Sequence, residues 1–371
     1  MKNKKNFFEV LFLGFLSMLY GIVVSVRNFL YDNKILKSVE FDLPVISIGN
    51  ISVGGTGKTP HTEYFTNLLK DEFKVAILSQ GYKRKTKGFR LVEISNTHYE
   101  VGDEPLQLKQ KFPEIVVAVC KQRVRGVQKL KELFPDLSVI ILDDGFQHRK
   151  ISPGVSILLN DYNNPIAKDH LLPLGRLRES RSSSQRADII IYTKCPAELK
   201  PIDIRILNND AEIKPYQYLF FSTLNYLNLI PVFPIKKEIC LNDLEKYNVL
   251  LVTGIAKSKN LVDFLEKKCN SFSHLSFTDH HNFSKKDVNS IIKKFSTIPD
   301  DKIIIVTEKD AVRLKVKDLI PEEIKKFIYY IPIRVELLCN AEEKKQFENQ
   351  IINYVRNNKT YSKLYKNSYS N

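Results

Sequence analysis

The run Gly54-Gly55-Thr56-Gly57-Lys58-Thr59, entered from the apolar stretch Pro44-Val45-Ile46-Ser47-Ile48, constrains this chain more than any other segment. A strand that breaks into a glycine-rich loop and then opens a helix makes a cradle for phosphate. The glycines let backbone N–H groups face phosphate oxygens, and the helix N-terminus adds the positive end of its dipole. Lys58 then reaches the β- and γ-phosphates of a nucleoside triphosphate, and the Thr59 hydroxyl ligates Mg²⁺. The candidate nucleotide-binding segment runs from Ser52 and Val53 through Gly54, Gly55, Thr56 and Gly57 to Lys58 and Thr59, with Ser52 where the strict pattern has glycine.

From Pro44 onward, short β-rich runs alternate with helical patterns, which predicts a mostly parallel sheet with helices on both faces. Strands are expected at 44–48, 74–79, 115–120, 139–142 and 188–193, and helices at 59–69, 105–111 and 123–133. Residues 216–240 change to long aromatic, strand-like runs broken by Pro231 and Pro234, and read as a β-stranded hinge. A second rhythm follows, with strands at 249–253, 272–277 and 302–307 and helices at 261–268 and 285–295. The expected class is α/β: a three-layer α/β/α phosphate-loop NTPase-like domain over 31–215 and a smaller α/β domain over 241–354. An apolar helix over 1–30 precedes them and a polar tail over 355–371 follows.

That apolar helix differs in kind from the rest. Lys2, Lys4 and Lys5 precede a stretch from Phe7 to Val26 in which Glu9 is the sole charge, and Arg27 follows it. About 20 apolar residues suffice to span a bilayer, and no small-x-small cleavage site follows. Gly14, Ser17, Gly21 and Ser25 form a small-residue stripe at helical spacing. The reading is a membrane anchor that lies in the interface or crosses it. The net charge of +15 suits anionic partners such as nucleotide, phosphorylated lipid or an acidic membrane surface. No basic block interleaved with aromatics marks a nucleic-acid groove. Five widely spaced cysteines without a C-x-x-C pair indicate neither a zinc site nor a disulfide framework.

Several further segments carry candidate chemistry. Val139-Ile140-Ile141-Leu142-Asp143-Asp144 is an apolar strand ending in two carboxylates, where phosphoryl transfer needs an acid to hold Mg²⁺. Gln147 and His148 follow at once as candidate substrate contacts. Asp103 and Glu104 open a predicted helix, where capping and catalysis are competing explanations. Asp279-His280-His281 offers one histidine as base or substrate contact, since adjacent side chains diverge. Arg178 suits phosphate and Glu179 suits Mg²⁺. Lys309, in Thr307-Glu308-Lys309-Asp310, is a further candidate for a substrate phosphate.

Taken in order, these segments resemble the tetraacyldisaccharide 4'-kinase family, the lipid A kinases of Gram-negative envelopes. The resemblance runs through Gly49-Asn50, Gly54 to Pro60, Gly81-Tyr82, Gly102-Asp103-Glu104-Pro105 and Asp143 to His148. It continues through Leu177-Arg178-Glu179, Gly254-Ile255-Ala256, Asp279-His280-His281 and Thr307 to Asp310. Gln80 stands where the family usually has arginine, and Tyr192-Thr193-Lys194-Cys195 fits the pattern loosely. The resemblance implies transfer of phosphate from ATP·Mg²⁺ to the 4'-hydroxyl of tetraacyldisaccharide 1-phosphate, at the cytoplasmic face of the inner membrane; no obligate protein partner is inferred. It implies that Asp103 and His280 form a catalytic dyad, and that Asp143, Asp144 and Glu179 join Thr59 around the metal. The rival is a membrane-associated phosphate-loop ATPase switch, but that group carries lysine before its paired glycines and this chain has Val53.

Overall fold

The computed structural model describes residues 6–316 and 319–357; Lys2, Lys4 and Lys5 and the polar tail from 358 onward lie outside the described residues. Two sheets organise the chain. The larger contains β1 (Val45–Gly49), β2 (Val75–Ser79), β3 (Arg90–Leu91), β4 (Val116–Val119) and β5 (Val139–Asp143). It also contains β6 (Val155–Asp161), β7 (Ile189–Thr193), β8 (Tyr218–Tyr226) and, from far along the chain, β14 (Ile333–Leu337). The smaller holds β9 (Ile230–Pro231), β10 (Asn248–Thr253), β11 (Ser271–Ser276), β12 (Lys302–Thr307) and β13 (Ile328–Ile331).

In the larger sheet the order is β14-β8-β7-β6-β1-β5-β2-β4-β3. Seven neighbours from β8 to β4 run parallel, and β14 and β3 close the two edges antiparallel. Its central strands are apolar runs buried on both faces, as a parallel sheet covered by helices requires. Alternation sorts their side chains: Ile46, Ile48, Ile77 and Ile141 enter one core, and Val45, Ala76, Leu78 and Ile140 the other. In the smaller sheet the order is β11-β10-β12-β13-β9, parallel except at β9.

The helices are α1 (Phe7–Asp32), α2 (Lys58–Leu69), α3 (His98–Val101), α4 (Asp103–Lys111), α5 (Arg123–Leu133) and α6 (Pro201–Ala211). Around the smaller sheet lie α7 (Lys259–Glu266), α8 (Lys285–Ser296), α9 (Glu308–Leu314) and α10 (Glu322–Lys325), and α11 (Ala341–Arg356) ends the described chain.

The expected domain limits need correction. The 216–240 segment is not one hinge: β8 is a full strand of the larger sheet, and the chain passes to the smaller sheet only after Tyr226. The smaller domain likewise ends near Ile331 rather than at 354. Thereafter β14 pairs with β8, and α11 buries Phe347, Ile351, Tyr354 and Val355 in the same core as β1 and α2. Burying an aromatic such as Phe347 is worth roughly 1.5–3 kcal/mol, so this helix is bound firmly to the larger sheet. Val355 and Arg356 belong to α11 and not to the tail.

Helix α1 is the one helix, among the described residues, long and apolar enough to cross a membrane by length and composition. It is docked, not free. Its buried positions are Ser17, Gly21, Val24 and Asn28, so the stripe follows the 3.6-residue period and leaves Ser25 exposed. A Cβ on Gly21 would stand 2.9 Å from the Leu171 side chain, so glycine permits the close approach. Ser17 donates to the Leu171 carbonyl at 2.9 Å and Tyr20 to the Arg178 carbonyl at 2.9 Å. Phe7, Phe8, Leu11, Phe12, Phe15, Ile22 and Val23 remain exposed.

Candidate active site

The phosphate loop joins β1 to α2, with Gly54 and Gly57 at φ of 107° and 87°, where a side chain would be strained. The loop is braced from several sides. Ser52 is buried in a bridge with Leu177, and the Val53 N–H donates to the Arg176 carbonyl at 2.8 Å. That amide is therefore committed away from the loop, and the N–H groups from Gly54 onward remain for phosphate. Asn50 donates to the Thr56 hydroxyl at 2.8 Å. His61, fully buried, lies 2.7 Å from the Gly57 carbonyl through Nδ1 and 3.0 Å from Ser222 through Nε2. Burial pushes its pKa down to about 4, so the ring is neutral and Nδ1 carries the donated proton.

Asp143 and Asp144 end β5 beside this loop and face different surroundings. Each Asp143 oxygen accepts a hydroxyl, from Thr62 and from Ser79, both at 3.1 Å. Burial, then Glu104 and Asp144, push its carboxyl up. Asp144 adopts φ of 53°, which turns its side chain toward Lys58 at 3.9 Å and Arg178 at 3.6 Å. Burial opposes ionisation there, but Lys58 and Arg178 prevail and hold it below the usual carboxylate range. Buried Arg123 donates to the main-chain carbonyls of Asp143 and Cys120, at 2.9 and 3.0 Å, and fixes the strand end.

Glu179 contacts α1: its Oε2 accepts from Asn28 at 3.2 Å and pairs with Arg186 at 2.7 Å, whereas Oε1 is buried without a partner. Thr59 is buried in the first turn of α2. No three His, Cys, Asp or Glu residues among the described residues converge to hold a metal. Mg²⁺ keeps several waters and takes one or two carboxylates plus substrate phosphates. The hard oxygens of Thr59 and Asp144 and the orphaned Glu179 oxygen fit such an ion. Arg178 also donates to the Asn50 side chain. The Gln147 carbonyl accepts from Arg27 of α1 at 2.7 Å. Burial, then the charge of Arg123, bring His148 down to about 4, so it presents a neutral ring.

Across from this half, the two sheets meet. Asp103 begins α4, and its Oδ2 lies 2.9 Å from His280 Nδ1. His280 sits at φ of 55°, in the turn between β11 and α8. Arg313 of α9 donates Nε to the same oxygen at 3.1 Å and pairs through its terminal nitrogens with Asp103 and with Asp310. The Glu104 amide donates to Asp103 Oδ1 at 3.0 Å. Burial would raise the Asp103 carboxyl, but the hydrogen bond from His280 and the charges of Arg313 and Lys309 hold it well below the usual range. His281 points elsewhere, 3.1 Å from Asp287 and stacked on Phe277. Lys309 is paired with Glu104, so a role toward a substrate phosphate requires that pair to open.

Sequence reasoning singles out neither Arg313 nor the contacts that Asn50 makes with Thr56 and Arg178 and Glu104 with Lys309. The one local signal for Arg313 is its i,i+3 spacing from Asp310, which ordinary helix-surface ion pairs share.

Residues 10–356 match the family described as tetraacyldisaccharide-1-P 4'-kinase. The tetraacyldisaccharide 4'-kinase of Phocaeicola vulgatus is 47% identical over 346 residues, covering 92% of this chain and 94% of its own. That of Flavobacterium johnsoniae is 40% identical over 345 residues, covering 92% and 96%. Among solved structures, the "apo" form of LpxK from Aquifex aeolicus, in complex with ATP, superposes with a TM-score of 0.69 at 31% identity, covering 91% of this chain and 97% of its own. The chain belongs to the tetraacyldisaccharide 4'-kinase family.

Proposed function

We propose that this protein is a membrane-associated kinase that transfers the γ-phosphate of ATP to the 4'-hydroxyl of tetraacyldisaccharide 1-phosphate, a step in lipid A synthesis, at the cytoplasmic face of the inner membrane. The observation that carries the mechanism is the Asp103–His280 pair, 2.9 Å apart and drawn from opposite sheets.

Phosphoryl transfer passes through a loose transition state, so the attacking hydroxyl needs alignment more than a strong base. Asp103 suits that task. It stays ionised throughout the working pH range, and Arg313 and His280 occupy Oδ2. Its Oδ1, steadied by one amide, is left to accept the 4'-hydroxyl proton and orient the oxygen. His280, with Nδ1 2.9 Å from Oδ2, holds the carboxylate in place. Lys58 and Arg178, on either side of Asp144, neutralise charge on the transferring group. Thr59, Asp144 and Glu179 would hold Mg²⁺, with Asp143 behind them, and the ion would supply further charge neutralisation at the phosphates. Gln147, neutral His148 and Arg178 are the proposed sugar and phosphate contacts.

The docked face of α1 leaves its apolar residues outward, which supports peripheral or monotopic attachment. An acceptor whose acyl chains stay in the bilayer would then be met at the surface.

The test is transfer of labelled γ-phosphate from ATP·Mg²⁺ to tetraacyldisaccharide 1-phosphate by the full-length protein in detergent. Label at the 4' position is the expected result. ATP binding and slow hydrolysis without transfer would overturn the proposal.

A further inference from the structure

Behind the phosphate loop, β7 ends in Thr193 and passes into Lys194. Thr193 donates Oγ1 to the Thr56 carbonyl at 2.9 Å, and Lys194 donates Nζ to the Gly55 carbonyl. A trans peptide unit points its C=O and its N–H in opposite directions. Holding these two carbonyls from behind therefore turns the N–H groups of Thr56 and Gly57 toward the opposite side, where phosphate oxygens would bind. Lys194 achieves this at φ of 59°, a conformation that side-chain-bearing residues avoid and that its surroundings must impose.

Those surroundings centre on Asp161, the last residue of β6, which is 4% exposed. Its Oδ2 lies 3.3 Å from Lys194 Nζ and 2.8 Å from Lys257 Nζ, while Oδ1 accepts the Asn163 N–H at 3.0 Å. Lys257 belongs to the other sheet, on the loop from β10 to α7. One buried carboxylate thus grips an ammonium from each sheet. Burial lowers the Lys194 ammonium below its ordinary value, with Asp161 resisting and Lys257 and Lys58 adding to the fall. Lys194 thus touches the loop directly, and Lys257 reaches it through Asp161.

We propose that Asp161 is the pin of a latch between the two sheets: Lys257 engages it when the smaller sheet stands over the phosphate loop, and Lys194 carries that engagement to the Gly55 carbonyl. Lys194 and Lys257 are then positioning residues for the triphosphate, one of them from the sheet that does not hold the loop. The latch rests on ATP as phosphoryl donor, the reading given above.

The experiment is an equilibrium titration of the full-length protein, in detergent with Mg²⁺, against adenylyl imidodiphosphate, run beside the transfer assay. Lys257 is partly exposed, so Lys257→Met should fold. It should weaken analogue binding about tenfold, the loss expected for one charge-assisted hydrogen bond. It should raise KM for ATP in proportion while kcat holds, and Lys257→Arg should restore binding. Adding Lys257→Met to Lys194→Met should cost nothing more, because the first acts through the second. Wild-type affinity in Lys257→Met, or full additivity with Lys194→Met, would overturn the latch. Wild-type protein that binds the analogue yet transfers no phosphate would count against the lipid-kinase reading alone.

Discussion

The two halves of the site are built on different plans. The phosphate-loop half is assembled on one sheet, where β1, β5 and α2 are neighbours and the loop is braced by nearby Asn50 and His61 as well as by Arg176, Thr193 and Lys194 from farther along the chain. The half proposed to align the acceptor exists only where two sheets meet, because Asp103 and its partners His280 and Arg313 stand 177 and 210 residues apart in sequence. The first draws only Lys257, among its proposed positioning groups, from the smaller sheet; the second is complete only while the sheets remain together. Mutations at Asp103 are therefore expected to separate chemistry from nucleotide binding.

The sharpest break is Asp103→Asn, which keeps the shape and removes the charge. It should lower kcat about 10³-fold, within the range for a positioned proton acceptor, and leave ATP affinity unchanged; steady-state kinetics and nucleotide titration read the two separately. Arg313→Met should come next. It strands Asp103 and Asp310 as buried charges and should destabilise the protein by about 3–5 kcal/mol in denaturant unfolding. Arg313→Lys, which keeps the charge, should recover part of that loss.

The phosphate-loop half is probed by pH. His61 is neutral in the fold at its depressed value of about 4, whereas in the unfolded chain it titrates near its ordinary 6.5. Its contribution to stability is present above pH 6.5 and is lost as pH falls toward 4, to a total of about 3 kcal/mol. Melting temperatures across that range should fall less steeply in His61→Asn; equal slopes would remove His61 as the cause. The smallest expected effect touches neither half. Phe12→Ser on the exposed face of α1 should weaken vesicle binding by about 1.5–3 kcal/mol without changing nucleotide affinity, as flotation and titration would show.

The same contrast governs what could be read in the sequence. The loop, its strand and its helix are contiguous, so Gly54 to Thr59 and the Asp143-Asp144 strand end were legible from local chemistry. Asp103 was ambiguous because a helix-opening acid is explained equally by capping, and its partner was 177 residues away. β6 escaped notice although all seven of its residues are buried, since Ser156, Asn160 and Asp161 interrupt its apolar run. β14 and α11 lie within the 241–354 expected for the smaller domain yet join the larger sheet and its core, because pairing with β8 is a long-range choice that no local pattern records. On α1 the small-residue stripe was visible, but its true continuation through Val24 and Asn28 depends on which face meets Leu171 and Glu179.

The registry Tyr226↔Ile333 between β8 and β14 makes those strands the two arms of a hairpin whose connection is the whole smaller domain. The Leu227 N–H donates to the Pro332 carbonyl at 2.9 Å, so outgoing and returning chains travel side by side. A domain inserted through a paired ribbon is restricted in how it swings, since two adjacent strands resist twisting that a single tether would permit. It is also a cassette: excising residues 228–331 and joining the arms with a two-residue turn should leave the larger sheet with both edge strands and its nucleotide loop in place.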